Sequence, residues 1–242
     1  MQINNELIDF FKKIPGAISV TEAIALYNLI IENMGNINPE ETFVDIGSHA
    51  GKSSLIALTA LSFLKKEGSF IMVDPAYDPI SPFRKTSPAF ADEYYCSHIF
   101  YKVRKFLNSN IQLCMLGLPS EKFCEEKRYE DLKFGSMINP LSYVFIDSGE
   151  HSEESLKPEI EWVNKHLCVG GIVVFHDFGN QYTAPVYAAE KMILSGQYEP
   201  IAINWEEIIS YVKENDLEKG NDSWHMVGNP HPNFIGALKR CR

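Results

Sequence analysis

The side chains able to do chemistry in this sequence collect at the carboxyl ends of short apolar runs. Asp45 lies in Thr42-Phe-Val-Asp-Ile46, which runs straight into Gly47-Ser-His-Ala-Gly51-Lys52-Ser53. Asp74 follows Ser69-Phe-Ile-Met-Val73. Asp147 follows Tyr143-Val-Phe-Ile146, with Glu150 and His151 just beyond, and His176-Asp177 follow Gly171-Ile-Val-Val-Phe175. Two carboxylates and an imidazole make an oxygen–nitrogen donor set for a divalent cation. The same three residues could instead cap strand ends and hydrogen-bond along the rim, and both readings stand. A histidine with an ordinary pKa of about 6.5 can take a proton from a hydroxyl, a role open to His151, with Glu150 as the substitute base. His151 equally suits a cap on the helix that follows.

Gly47 and Gly51 admit three ligand readings beside a plain tight turn. A P-loop requires G-x-x-x-x-G-K-[ST]. Gly51-Lys52-Ser53 is present, but only three residues separate the glycines, and Ile46 holds the position that needs the first one. A P-loop-like NTPase or kinase is therefore the minor alternative. A dinucleotide fingerprint needs glycine where His49 stands, so NAD and FAD are disfavoured. The third pattern, Asp45-x-Gly47-x-x-x-Gly51, suits a ligand without phosphates and is that of class I S-adenosylmethionine (SAM) methyltransferases. Asp74, ending the next strand, is placed to accept hydrogen bonds from ribose hydroxyls. Alone, Asp74 reads as a turn residue. At this interval after the loop it favours SAM.

Strands and helices must alternate to bring those ends together. The four runs above and Ile111-Gln-Leu-Cys-Met115 read as strands, most of them apolar on both faces, as in parallel sheets covered by helices. Residues 52–65, 91–107, 155–167 and 184–194 read as helices between them. Leu156, Ile160, Val163 and Leu167 form one stripe, and Pro158 places the start of that helix close before it, with Ser155 as N-cap. The pattern is a Rossmann-like, doubly wound α/β sheet. Residues 1–40 form an N-terminal helical segment, with a helix over 21–33. Residues 75–98 read as an insertion that shapes a substrate pocket or as a surface excursion. Near the carboxyl end, Pro200-Ile-Ala-Ile203 and Phe234-Ile-Gly-Ala-Leu238 could pair as edge strands around a charged stretch.

Taken together, these residues resemble the class I methyltransferases, and within them the bacterial macrocin O-methyltransferase-like group. The resemblance rests on Ile14-Pro-Gly16-Ala-Ile-Ser19, the Asp45/Gly47/Gly51 loop, Asp74, Phe145-Ile-Asp147-Ser-Gly-Glu-His151, and Gly170-Gly171-Ile-Val-Val-Phe-His176-Asp177. It implies a seven-stranded, mostly parallel sheet whose last two strands form an antiparallel edge pair, matching the carboxyl-terminal runs above. It further implies that Asp45, Gly47, Gly51 and Ser53 line the methionine end of SAM. Asp74 then holds the ribose and Ser120 lies near the adenine, although Ser120 also reads as a helix N-cap. Asp147, His176 and Asp177 fall where related metal-dependent enzymes bind magnesium. His176 departs from their oxygen ligands, so manganese, iron or zinc suit the set as well.

The 242 residues are 45% hydrophobic and 22% charged, ordinary for a folded chain and enough for one domain across 1–242. The net charge of −10 offers no basic field for nucleic acid. Five cysteines without a CxxC pair fit a reducing compartment, and Glu6 stands where a signal peptide needs a basic region. No apolar run approaches a membrane span, so the expectation is a soluble, cytoplasmic protein. The expected activity is SAM-dependent O-methylation of a small-molecule or sugar hydroxyl, with a divalent metal as an optional aid. A SAM-binding protein without turnover is the other alternative. Neither the acceptor nor the oligomeric state, homo-oligomer included, is legible. Calorimetry is expected to give micromolar binding of SAM or S-adenosylhomocysteine and poor binding of Mg-ATP; the reverse order would promote the P-loop reading.

Overall fold

The computed structural model describes residues 5–14, 16, 18–35, 40–78, 110–125, 140–147, 152–179, 182–217 and 235–242. Its centre is strand β1 (Glu40–Ile46), flanked by β2 (Glu67–Val73) and β4 (Leu141–Ile146), both parallel to it. β3 (Ile111–Leu116) lies outside β2, and β5 (Leu167–Phe175) outside β4, again parallel. β7 (Gly236–Arg240) runs antiparallel beside β5, and β6 (Tyr198–Pro200) antiparallel beside β7. The order is β3-β2-β1-β4-β5-β7-β6, the seven-stranded mixed sheet with an antiparallel edge that the sequence implies.

Alternation along each strand divides the core into two layers. Phe43, Phe70, Met72, Tyr143, Phe145, Ile172 and Val174 face helices α1 (Asn5–Lys12), α2 (Val20–Met34), α3 (Lys52–Phe63) and α7 (Trp205–Glu214). Val44, Ile46, Ile71, Val73, Val144, Ile146, Val173 and Phe175 face α4 (Ser120–Cys124), α5 (Glu153–His166) and α6 (Ala184–Leu194). Each of these strand residues is buried, which is why the central strands read as unbroken apolar runs.

Three expectations shift. Helix α5 starts earlier than Pro158 suggested: Ser152 is the N-cap, its hydroxyl accepting from the Ser155 N–H at 3.1 Å. Ser155 supplies the other half of the capping box, accepting from the Ser152 N–H at 3.1 Å. Pro158 sits one turn inside, where it forfeits only the bond to the Glu154 carbonyl. The edge pair slides: β6 ends at Pro200, with Ile201 N–H still reaching the Ala237 carbonyl at 2.9 Å, and β7 starts at Gly236. The charged stretch between them contains α7, whose buried Ile208 and Val212 lie on one face and whose N-cap is Asn204. Among the described residues, no helix is long and apolar enough to cross a membrane.

Candidate active site

Register and pleat bring the reactive residues to one place. One residue past its strand, each backbone N–H still joins the ladder: Gly47 to Val73 (2.8 Å), Asp147 to Ile46 (2.9 Å), His176 to Ile146 (3.0 Å) and Asp74 to Leu116 (3.1 Å). Asp45, Asp74, Asp147 and His176 also share the parity of Phe43, Met72, Phe145 and Val174. All four side chains therefore continue the α2–α3 face of the sheet.

The loop after β1 turns on Gly47 (φ 81°) and Gly51 (φ 80°), both in the left-handed region that a side chain resists. Gly51 N–H closes the turn on the Ser48 carbonyl at 2.7 Å and Gly51 then caps α3 without a side chain. His49 holds φ 43° at the crest, an uncommon conformation for a residue with a Cβ. Asp74 secures it, its Oδ2 accepting from the His49 N–H at 2.9 Å while Oδ1 accepts from the Ala76 N–H at 2.8 Å. Asp74 is thus both the cap of the short Pro75–Tyr77 turn and a carboxylate beside the glycine loop. Burial raises its pKa, against the two backbone donors and the His49 ring that lower it.

Asp45 is wholly buried beneath this loop. Its Oδ2 accepts from the Ser53 hydroxyl at 2.7 Å and from the Ser54 hydroxyl. Its Oδ1 has no hydrogen-bond partner. Ser120 opens α4 as its first helical residue, half-buried, and Pro119 rather than Ser120 is the N-cap. Lys52, the residue a P-loop would aim at phosphate, is buried with its ammonium 4.5 Å from the centre of the Phe11 ring. That orientation, like the three-residue glycine spacing, does not suit a P-loop.

Asp147, His176 and Asp177 meet at the ends of β4 and β5, each offering a ligand atom within 4.8 Å of the others. His176 is at the middle, fully buried, with Nδ1 3.1 Å from Asp147 Oδ1 and 3.5 Å from Asp177 Oδ2. Asp147 stays 21% exposed, which leaves the cluster open toward solvent on that side. Asp177 holds φ 52°, a strained position that turns its carboxylate back toward His176. Burial alone would lower the His176 pKa. The Asp147 charge and hydrogen bond, with the nearby carboxylates of Asp177 and Glu22, outweigh it and carry the pKa well above the ordinary value. Two carboxylates and a ring nitrogen converging with one open side fit a divalent cation.

Glu22, absent from the sequence-level candidates, completes this cluster from α2, with Oε1 3.4 Å from His176 Nε2. Its signal was Ser19-Val-Thr-Glu22, a capping box at the start of an apolar helix, which reads as helix punctuation and not as chemistry. His151, Glu150 and most of the 75–98 segment lie outside the described residues.

A sheet of this order with a glycine turn after β1 defines a class I SAM-dependent methyltransferase. Residues 44–178, more than half of the chain, match the family described as methyltransferase domain, and the chain belongs to that family. No curated protein matches it in sequence. Two crystal structures of CalS11 share the fold. One is the apo form, described as a TDP-rhamnose 3'-O-methyltransferase, an enzyme in calicheamicin biosynthesis. It is 10% identical, with a TM-score of 0.53 over 90% of this chain and 78% of CalS11. The second, described as calicheamicin methyltransferase, is 11% identical, with a TM-score of 0.50 over 90% and 76%. At such identities the likeness shows the fold alone.

Burial pushes the Asp45 carboxyl from 3.8 up to about 7, the two serine hydroxyls pulling down and the Asp147 and Asp74 charges adding to the rise. An acid with a raised folded pKa binds more protons folded than unfolded, so stability falls as pH climbs between the two values. Asp45→Asn removes that contribution. Thermal unfolding of ligand-free protein is expected to show wild type losing more stability than the variant between about pH 4 and pH 7. Parallel curves would mean that Asp45 titrates in the ordinary carboxylate range.

Proposed function

We propose that this methyltransferase methylates a hydroxyl of a small molecule or sugar, and that Asp147, His176 and Asp177 form a divalent-cation site beside the SAM cleft. The observation that carries the reading is the convergence of these three side chains one register step from the glycine loop. SAM, when bound, would offer its sulfonium methyl group to in-line attack by the acceptor oxygen, the carbon–sulfur bond breaking to leave S-adenosylhomocysteine. Gly47 and Gly51 let the backbone come close to its methionine end, with Asp45 and Ser53 beneath the turn and Asp74 facing the ribose. Ser120, opening the helix after β3, borders the adenine. A cation held by Asp147, His176 and Asp177 would lower the pKa of an acceptor hydroxyl and orient it. The chain's own contribution is to fix that geometry, which is where proximity acts. His151 or Glu150, just beyond Asp147, takes the hydroxyl proton.

The donor set favours manganese, iron or zinc as much as magnesium, because one ligand is an imidazole. The sugar acceptor draws support from CalS11, a TDP-rhamnose 3'-O-methyltransferase whose fold this chain shares. We place one catalytic domain across residues 1–242, with 75–98 shaping the acceptor pocket. The acidic balance argues against a nucleic-acid acceptor.

Methyl transfer to a panel of hydroxylated acceptors is expected to fall at least about tenfold in excess EDTA and to return on adding manganese, zinc or magnesium. Asp177→Asn should reproduce the loss without abolishing SAM binding. Full activity in EDTA together with an active Asp177→Asn variant would leave the three residues a structural cluster. SAM affinity without transfer to any acceptor would favour a binding protein.

A further inference from the structure

Glu22 stands on the first turn of α2, away from the strands that carry the cluster, yet its carboxylate closes one side of it. The two oxygens keep different company. Oε2 accepts from the Ser19 backbone N–H at 2.9 Å and from the Ser19 hydroxyl at 2.8 Å. Oε1 is buried without a hydrogen bond, 3.4 Å from His176 Nε2, which is equally buried and without a hydrogen bond. A carboxylate oxygen and a ring nitrogen sealed from water are costly to leave unmatched, so each is the partner the other requires. The opposite ring nitrogen, Nδ1, faces Asp147 and Asp177.

We propose that Glu22 is a positioning residue: it accepts the Nε2 proton of His176 and so directs the Nδ1 lone pair toward Asp147 and Asp177 to receive a divalent cation. This rests on the reading of those three residues as a cation site. A histidine ligand with its outer N–H on a carboxylate is held in one tautomer and one ring orientation. Ser19 makes the hold directional, because it occupies Oε2 and leaves only Oε1 for the ring. The alternation of β5 supplies the remaining condition. Ile172, Val174 and His176 share the face that packs against α2, so the imidazole reaches Glu22 without leaving the sheet.

The test is calorimetric titration of manganese and of zinc into wild type, Glu22→Gln and Glu22→Ala. Glutamine can keep the capping box, its carbonyl accepting from the Ser19 N–H. It then presents an amide N–H to Nε2, which must become the acceptor, and the ring proton moves to Nδ1 where the cation should bind. Alanine removes the acceptor without imposing the wrong tautomer, but it loses the cap and leaves a cavity. Metal affinity is therefore expected to fall roughly 10–100-fold in Glu22→Gln and by less in Glu22→Ala, while melting temperatures fall in the opposite order. A structural role alone would put alanine last on both measures. Nitrogen NMR of zinc-loaded wild type should show the proton of His176 on Nε2 and the metal on Nδ1, a result that stands even where Glu22→Ala does not fold. Unchanged affinity in Glu22→Gln would overturn the role of Glu22 and leave the cation site standing. A wild type that binds neither metal would overturn both.

Discussion

Parallel strands deliver their ends to one level only when their ladders are in register, and the cleft depends on that condition. The bond from Asp147 N–H to the Ile46 carbonyl and that from His176 N–H to the Ile146 carbonyl carry the register one step past the last strand residues. Pleat parity then decides direction. A slip of one residue in β4 or β5 would swing Asp147 or His176 to the α5 side and disperse the cluster. The two-sided apolar packing of Phe145 and Val174 against α2 and α3, and of Ile146 and Phe175 against α5 and α6, is what forbids the slip. Core burial and site geometry are here one constraint.

The cost of the arrangement is a concentration of buried negative charge. Asp45, Asp74, Asp177 and Glu22 are all at most 9% exposed, and Asp147 stands beside them. His176 lies in their midst, and the surrounding carboxylates raise its pKa against the burial that would lower it. Removing charges from water is expensive unless they are matched, and a site prepared for ligands carries that expense when empty. The same pressure raises Asp45 and Asp74, although serine hydroxyls hold one oxygen of Asp45 and backbone N–H groups hold both of Asp74. A divalent ion or a ribose would relieve it.

Much of this was legible in the sequence because it obeys short-range rules. Strand ends followed by Asp or His, glycines at a fixed interval and apolar runs without alternation are local signals, and they located Asp45, Asp74, Asp147, His176 and Asp177 correctly on strand ends. Long-range facts were not legible. Glu22 reaches His176 through the packing of α2 on the sheet, which no local spacing encodes. The hydrogen bond from the Ser53 hydroxyl to Asp45 was not legible either, because the sequence does not say how deep β1 is buried. Charge hid the apolar face of α7, where Ile208 and Val212 fall four residues apart among acids and polar residues. Pro158 points to a start at Ser155, whereas the reciprocal Ser152–Ser155 capping box places it three residues earlier.

The capping box of α2 has an evolutionary consequence. Ser19 and Glu22 start a helix, a job many residue pairs perform, so by helix physics alone they would drift. Tied to His176, they inherit its constraint. A descendant that replaced His176 with an acid would set two buried carboxylates face to face, and position 22 would then have to give up its charge. An amino acid chosen at the end of the fifth strand thus bears on how the second helix begins.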